Sequence, residues 1–139
     1  MKLFLDANIL VSVLNKEYPL FADSSRILSL ATHKRFSIFT SPICLAIAWY
    51  FVEKKSGTKI AHKKMNTLCS HIQIAAATAQ TVQSTLANQK VNDFEDGLEY
   101  YAALSVKCDC IITANTDDFY FSEIMVYTAR QFCEKVLFA

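Results

Sequence analysis

Three groups of carboxylates stand where this chain could do chemistry. Asp6 ends the apolar run Leu3-Phe4-Leu5, Asp93, Glu95 and Asp96 gather at the start of a helical pattern, and Asp117 and Asp118 follow the apolar run Cys110-Ile111-Ile112. Acids without imidazole or thiolate among them form an oxygen-rich set, which suits a hard cation, Mg²⁺ or Mn²⁺, better than Zn²⁺. A divalent ion relieves the repulsion among such acids, polarises water and clamps a phosphodiester for in-line attack. Local structure offers a second account of the same residues. Asp93, with Asp96 three positions on, has the pattern of a helix N-cap, and Asn115 and Asp118 have the character of turn residues. Asp6 is the least explained by local structure, because an acid at the end of an apolar strand carries a desolvation cost that a neutral residue avoids.

Other chemistries lack their residues. The only glycines are Gly57 and Gly97, too few for a dinucleotide-binding or phosphate-binding loop or for a G-x-S-x-G nucleophile elbow. His33, His62 and His71 are scattered and form no H-E-x-x-H pair, and Cys44, Cys69, Cys108, Cys110 and Cys133 make an odd set without C-x-x-C spacing. Reduced, mostly buried thiols and surface histidines are expected. Fourteen Lys and Arg against thirteen Asp and Glu leave a formal charge of +1, so overall charge points to no polyanionic partner.

The elements that must position the acids follow from hydrophobic period. A 139-residue chain that is 53% hydrophobic can form one domain, 1–139, with its own core. Short apolar runs alternate with helical patterns, the mark of an α/β fold. Strands are expected over 2–5, 36–40, 72–75, 110–113 and 125–127. Helices are expected over 7–14, 20–34, 42–55, 59–69, 78–88, 92–106 and 129–137. Five strands joined by helical crossovers predict a central parallel sheet covered by helices on both faces. In such a sheet ligands bind beyond the carboxyl ends of the strands, where the strand order reverses. If strands one and four are neighbours, Asp6 and Asp118 meet there. The N-terminus reaches an acid after three apolar residues and no stretch approaches the roughly 18 apolar residues of a membrane span, so the cytoplasm is the expected compartment.

At these residues the chain resembles a known family. Leu5-Asp6-Ala7-Asn8-Ile9-Leu10, Asp93-Phe94-Glu95-Asp96 and Thr113-Ala114-Asn115-Thr116-Asp117-Asp118-Phe119 resemble, in order and spacing, the opening strand, internal acidic motif and T-x-N-x-x-D-F motif of PIN domains. Ser41-Pro42 and the helix after it are similar to the family's segment beyond strand two. The resemblance implies a three-layer PIN-like fold. It also implies a Mg²⁺- or Mn²⁺-dependent endoribonuclease of the VapC type, the toxin of a type II pair with a small antitoxin, working on RNA as a homodimer. Carried over residue by residue, Asp6, Asp96 and Asp118 are the catalytic metal ligands. Thr113 and Asn115 support them by hydrogen bonds, and Asp93, Asp117 and Glu95 are outer acids.

The family's usual helix glutamate falls on Ile47, so one expected carboxylate is missing. A PIN-fold RNA-binding or scaffold module that has lost catalysis therefore stands as the alternative, as does recruitment of Glu95. An enzyme needs its acids together and open, whereas a scaffold tolerates them capped or apart. A phosphatase-like domain is weaker, since Asn8 stands where a second acid or Thr is expected. Lys54, Lys55, Lys59, Lys63 and Lys64 form a basic run suited to a phosphate backbone or to a solvated face. Trp49, Tyr50 and Phe51 are expected in the core or a dimer contact rather than as a stacking platform.

Overall fold

The computed structural model describes residues 1–139. Five strands, β1 (Lys2–Leu5), β2 (Ser37–Thr40), β3 (Gln73–Ile74), β4 (Cys110–Ile112) and β5 (Met125–Tyr127), pair in parallel in the order β3-β2-β1-β4-β5. The chain moves outward from β1 through β2 to β3, then crosses back to lay β4 on the other side of β1. The order therefore reverses between β1 and β4, where Leu3 faces Cys110 and Leu5 faces Ile112. Leu3, Phe4 and Leu5 are all fully buried, as are Cys110, Ile111 and Ile112. Successive strand side chains point to opposite faces, so burial of consecutive residues means that both faces of the central pair are covered.

The cover is seven helices: α1 (Ala7–Leu14), α2 (Leu20–Ser29), α3 (Pro42–Ser56), α4 (Thr58–Cys69), α5 (Ala79–Ala87), α6 (Phe94–Ser105) and α7 (Ala129–Phe132). Ser41 caps α3 by accepting from the Cys44 amide at 3.3 Å, Pro42 opens the first turn, and Gly57 ends it at φ 85°. The positive φ is one that a side chain resists and glycine does not. No helix is long and apolar enough to cross a membrane.

Several expected elements lose a residue or two at their ends, and three depart further from their sequence pattern. The second helix stops at Ser29 and tightens into a 3-10 turn over Leu30–Thr32, and the last continues beyond Phe132 as a π-type turn over Cys133–Leu137. The third strand keeps only Gln73 and Ile74 in the sheet, because at the edge it has β2 alone to pair with. Ile72 and Ala75 are nevertheless buried beside it.

Gly97 allows a close approach of two helices. A Cβ there would lie 2.4 Å from Thr85 Cγ2 and 2.7 Å from Val91 Cγ1, far inside ordinary contact. Its absence lets α6 sit against α5, which sets the position of the acids on either side of Gly97.

The basic run is divided among tasks. Lys55 donates to the Asn15 carbonyl and Lys64 to the Leu14 carbonyl, each at 2.6 Å. Both cations thus sit at the C-terminal end of α1, where the helix dipole favours them. Lys54, Lys59 and Lys63 are exposed. The aromatic stripe is also divided. Trp49 is half-buried, donates to Glu53 Oε2 at 2.9 Å and packs on His62, while Tyr50 and Phe51 are exposed and not in the core.

Candidate active site

The carboxyl ends of β1 and β4 carry the candidate site. Asp6 follows β1 and caps α1, its Oδ1 accepting from the Ala7 amide at 2.6 Å. Its Oδ2 accepts from Thr113 Oγ at 2.8 Å and from Asn8 Nδ2 at 3.3 Å, while the Asn8 carbonyl oxygen accepts from the Ala114 amide at 2.9 Å. The turn after β1 is therefore latched to the turn after β4 by the side chains of Asp6, Asn8 and Thr113 together with the Ala114 amide. Asn8 has this role although nothing but its place in the motif marked it. Asn115 Nδ2 donates to Asp118 Oδ1 at 3.0 Å, and the Asn115 amide donates to Thr113 Oγ at 3.2 Å. One network thus runs from Asp6 through Thr113 and Asn115 to Asp118.

The third group of acids comes from α6. Asp93 is its N-cap, accepting from the amides of Glu95 at 2.9 Å and Asp96 at 3.3 Å. Asp93 is exposed and committed to the helix, and Asp117 is exposed outside the cleft. Asp96 and Glu99, three residues apart, leave the same side of α6.

Asp6, Asp96, Glu99 and Asp118 line one cleft of about 370 Å³, with Glu17 and Glu95 at its more exposed margin. Six of its twelve lining residues are acids and none is Lys, Arg or His. The protein's two ion pairs, Arg26–Asp23 and Arg130–Glu134, lie elsewhere. A larger groove of about 750 Å³ between α1, α2 and α4 has lysines and apolar side chains but no carboxylate, so the chemistry belongs to the smaller cleft.

Uncompensated charge shows in the acidities. Burial, followed by the charges of Asp93, Asp118, Asp6 and Glu95, pushes Asp96 up to about 7. Burial, followed by the Asp6 charge, pushes Glu99 up to about 10. Burial also raises Asp6 above the ordinary carboxylate value, against the hydrogen bond from Thr113. The causes are desolvation and like charge together, and a bound cation opposes both.

Glu99 is the site acid that the sequence motifs missed. It is only 2% exposed, its Oε1 accepts from Cys44 Sγ at 3.0 Å, and its Oε2 is buried without a hydrogen-bond partner in the protein. Ligand atoms of Asp6, Cys44 and Glu99 all lie within 4.8 Å of one another. The signal was available as an acid three residues after Asp96 and four after Glu95 within an otherwise apolar helix stretch. The expectation that no sulfur lies nearby is corrected by Cys44. Burial and the charges of Glu99 and Asp6 hold this thiol well above its usual pKa, so it stays a neutral donor and the anionic ligand set remains oxygen.

Ile47, where the resemblance placed a glutamate, does face this cleft. It is half-buried rather than sealed in the core, and it lies three residues after Cys44 on the same side of α3.

The family model of the PIN domain matches residues 2–117. The chain belongs to the PIN domain family. All the motifs described above up to Asp117 lie within the matched span. As a PIN domain it is 24% identical over 138 residues to Ribonuclease VapC1 of Aquifex aeolicus, covering 96% of this chain and 94% of the relative. The fold is shared with the structure of VapBC2 from Rickettsia felis bound to a DNA fragment from its promoter. That match has a TM-score of 0.69 at 20% identity and covers 91% of this chain and 97% of the other. It is shared also with VapC20 of Mycobacterium tuberculosis, described as a sarcin-ricin loop cleaving toxin. Here the TM-score is 0.68 at 13% identity, with 86% and 95% covered. These two likenesses are of fold: the five-stranded parallel sheet and its helices are common to this chain and both structures.

Proposed function

We propose that this PIN domain is a Mg²⁺- or Mn²⁺-dependent endoribonuclease. The observation that carries the reading is the acidic cleft at the β1–β4 switch point, in which no basic side chain balances Asp6, Asp96, Glu99 and Asp118. The relative's name, Ribonuclease VapC1, and the cleaving activity in the VapC20 description support RNA as substrate. A binding module would tolerate occluded acids, whereas Asp96 and Asp118 are half-exposed on the cleft.

Asp6, Asp96 and Asp118 hold the cation in this reading, and the oxygen-only anionic set fits a hard ion. When bound, the ion supplies charge neutralisation and a more acidic water for attack on phosphorus. Thr113 and the Ala7 amide fix the Asp6 carboxylate before substrate arrives. Asn115 does the same for Asp118. Glu95 stands at the open side as an outer acid, and Asp93 acts by capping the helix that carries Asp96. Cleavage would leave 5′-phosphate and 3′-hydroxyl ends. Of the basic run, exposed Lys54, Lys59 and Lys63 are left to meet an RNA backbone. Pairing with a small antitoxin belongs to the same proposal, supported by the VapBC assembly of the structural relative; homodimerisation and action in the cytoplasm complete it.

The test is cleavage of a mixed RNA pool by the purified protein with Mn²⁺ or Mg²⁺ against chelator. Asp6→Asn and Asp118→Asn should each lower the rate by more than about 100-fold, beyond the range for an outer-shell partner. Metal-independent cleavage, or full cleavage by Asp118→Asn, would overturn it.

A further inference from the structure

The strongest unassigned feature of the molecule is the inner wall of the acidic cleft. On α3 that wall offers Ile47, which has no oxygen to give, and behind the wall lies the buried Cys44, whose thiol already donates to Glu99 Oε1. On α6 it offers Glu99, almost wholly buried, with Oε2 left without a partner. A buried acid that needed only to satisfy Cys44 could be replaced by a neutral glutamine, which keeps the acceptor and avoids the desolvation penalty of the carboxylate. In the fold that second oxygen has only the Asp6 carboxyl to pair with, an acid–acid contact held by a shared proton that a cation can replace. It stands in the group formed by Asp6, Glu99 and Cys44, whose ligand atoms lie within 4.8 Å of one another.

We infer that Glu99 is a cation ligand of this cleft, placing on α6 the carboxylate that α3 lacks at Ile47. Asp96 and Glu99 then act as a pair from successive turns of one helix, with Asp6 facing them from the end of β1. Cys44 is a positioning residue: by donating to Oε1 it fixes the rotation of the carboxyl group and leaves Oε2 for the ion. The inference rests on reading the cleft as a divalent-cation site, and its test separates the two.

The experiment counts free Mn²⁺ by electron paramagnetic resonance during titration of the whole protein, with metal-induced thermal shift as the second readout. Glu99→Gln keeps the acceptor for Cys44 and removes the anionic ligand. It should weaken Mn²⁺ binding at least about 10-fold, the lower end of what even outer-shell partners contribute, while the melting temperature in chelator stays the same or rises. Ile47→Glu introduced into the Glu99→Gln protein should recover much of the lost affinity, because position 47 faces the same space. Should Glu99→Gln fail to fold, Glu99→Asp, which retracts the carboxylate by one methylene, should give a smaller weakening. Unchanged binding in the folded Glu99 variant, with binding lost in Asp118→Asn, would overturn the role of Glu99 and leave the cation site standing. Absence of Mn²⁺ binding by the unmodified protein would overturn the site itself and the inference with it.

Discussion

Gly97→Ala should disturb the site without touching a carboxylate. The new Cβ would meet Thr85 Cγ2 at 2.4 Å and Val91 Cγ1 at 2.7 Å, so α5 and α6 must separate by roughly 1 Å to restore ordinary contact. Overpacking of this kind costs about 1–3 kcal/mol. Alanine in place of glycine in a helix returns about 1 kcal/mol. The balance is a loss of about 1 kcal/mol, a fall in melting temperature of roughly 3–6 °C for a chain of this size. Thr85→Ser deletes the first clashing atom and keeps the Oγ bond to the Thr81 carbonyl, 2.8 Å in the parent. In that background Gly97→Ala should cost markedly less, a coupling that thermal unfolding of all four proteins measures as a double-mutant cycle. RNA cleavage should fall further than the stability change explains, since Gly97 lies between Asp96 and Glu99. A Gly97→Ala protein that melts higher than its parent and cleaves normally would refute the claim that this close approach sets the site.

Three further expectations follow from the acids and the lysines. In chelator, stability should fall as pH rises. Glu99 is raised from 4.5 to about 10 in the fold, so the folded state keeps a proton that the unfolded chain releases. The stability present below pH 4.5 is lost on the way to the folded value, at up to about 1.4 kcal/mol per pH unit. Asp96 adds to the loss up to about 7, so urea titrations between about pH 7 and 8 should show a flatter dependence for Glu99→Gln, and parallel slopes would refute the assignment. Lys55→Gln and Lys64→Gln should each remove about 1 kcal/mol of stability, the worth of a charged hydrogen bond at a helix end. Lys54→Gln and Lys59→Gln should leave stability alone and lower the salt slope of RNA binding by about 1 each, read by filter binding at several salt concentrations.

The parts of the site that could be read in the sequence are those fixed by chain-local rules. An acid after an apolar strand placed Asp6, and the continuous run Cys110-Ile111-Ile112 marked a strand; that it neighbours β1 was a condition, met by the parallel pairing of the two. Asp93 at the helix start and the turn at Asn115 were legible as local hydrogen bonding. Glu99 could be seen as an acid in an apolar helix stretch but not as a member of the site, because its burial comes from α3 packing on α6 across 55 residues of chain, and Cys44 was hidden for the same reason. The lysines misled similarly: Lys55 and Lys64 look like a surface run until α1 is seen ending beneath them. The short third strand reflects its edge position, a property of the sheet that its own residues do not carry.

The pairing of β1 with β4 also dictates when the acidic cleft can exist. Leu3 stands opposite Cys110, a separation of 107 residues, and closing so long a loop comes late in folding because its entropy cost precedes any reward. During synthesis from the N-terminus, a chain that has emerged only through α6 already has Asp6, Asp96 and Glu99. It lacks Thr113 to hold Asp6, Asn115 to hold Asp118, and Asp118 itself. The cleft is therefore completed by almost the last fifth of the polypeptide to appear, and a chain stopped short of β4 carries most of the acids without the strand that brings them together.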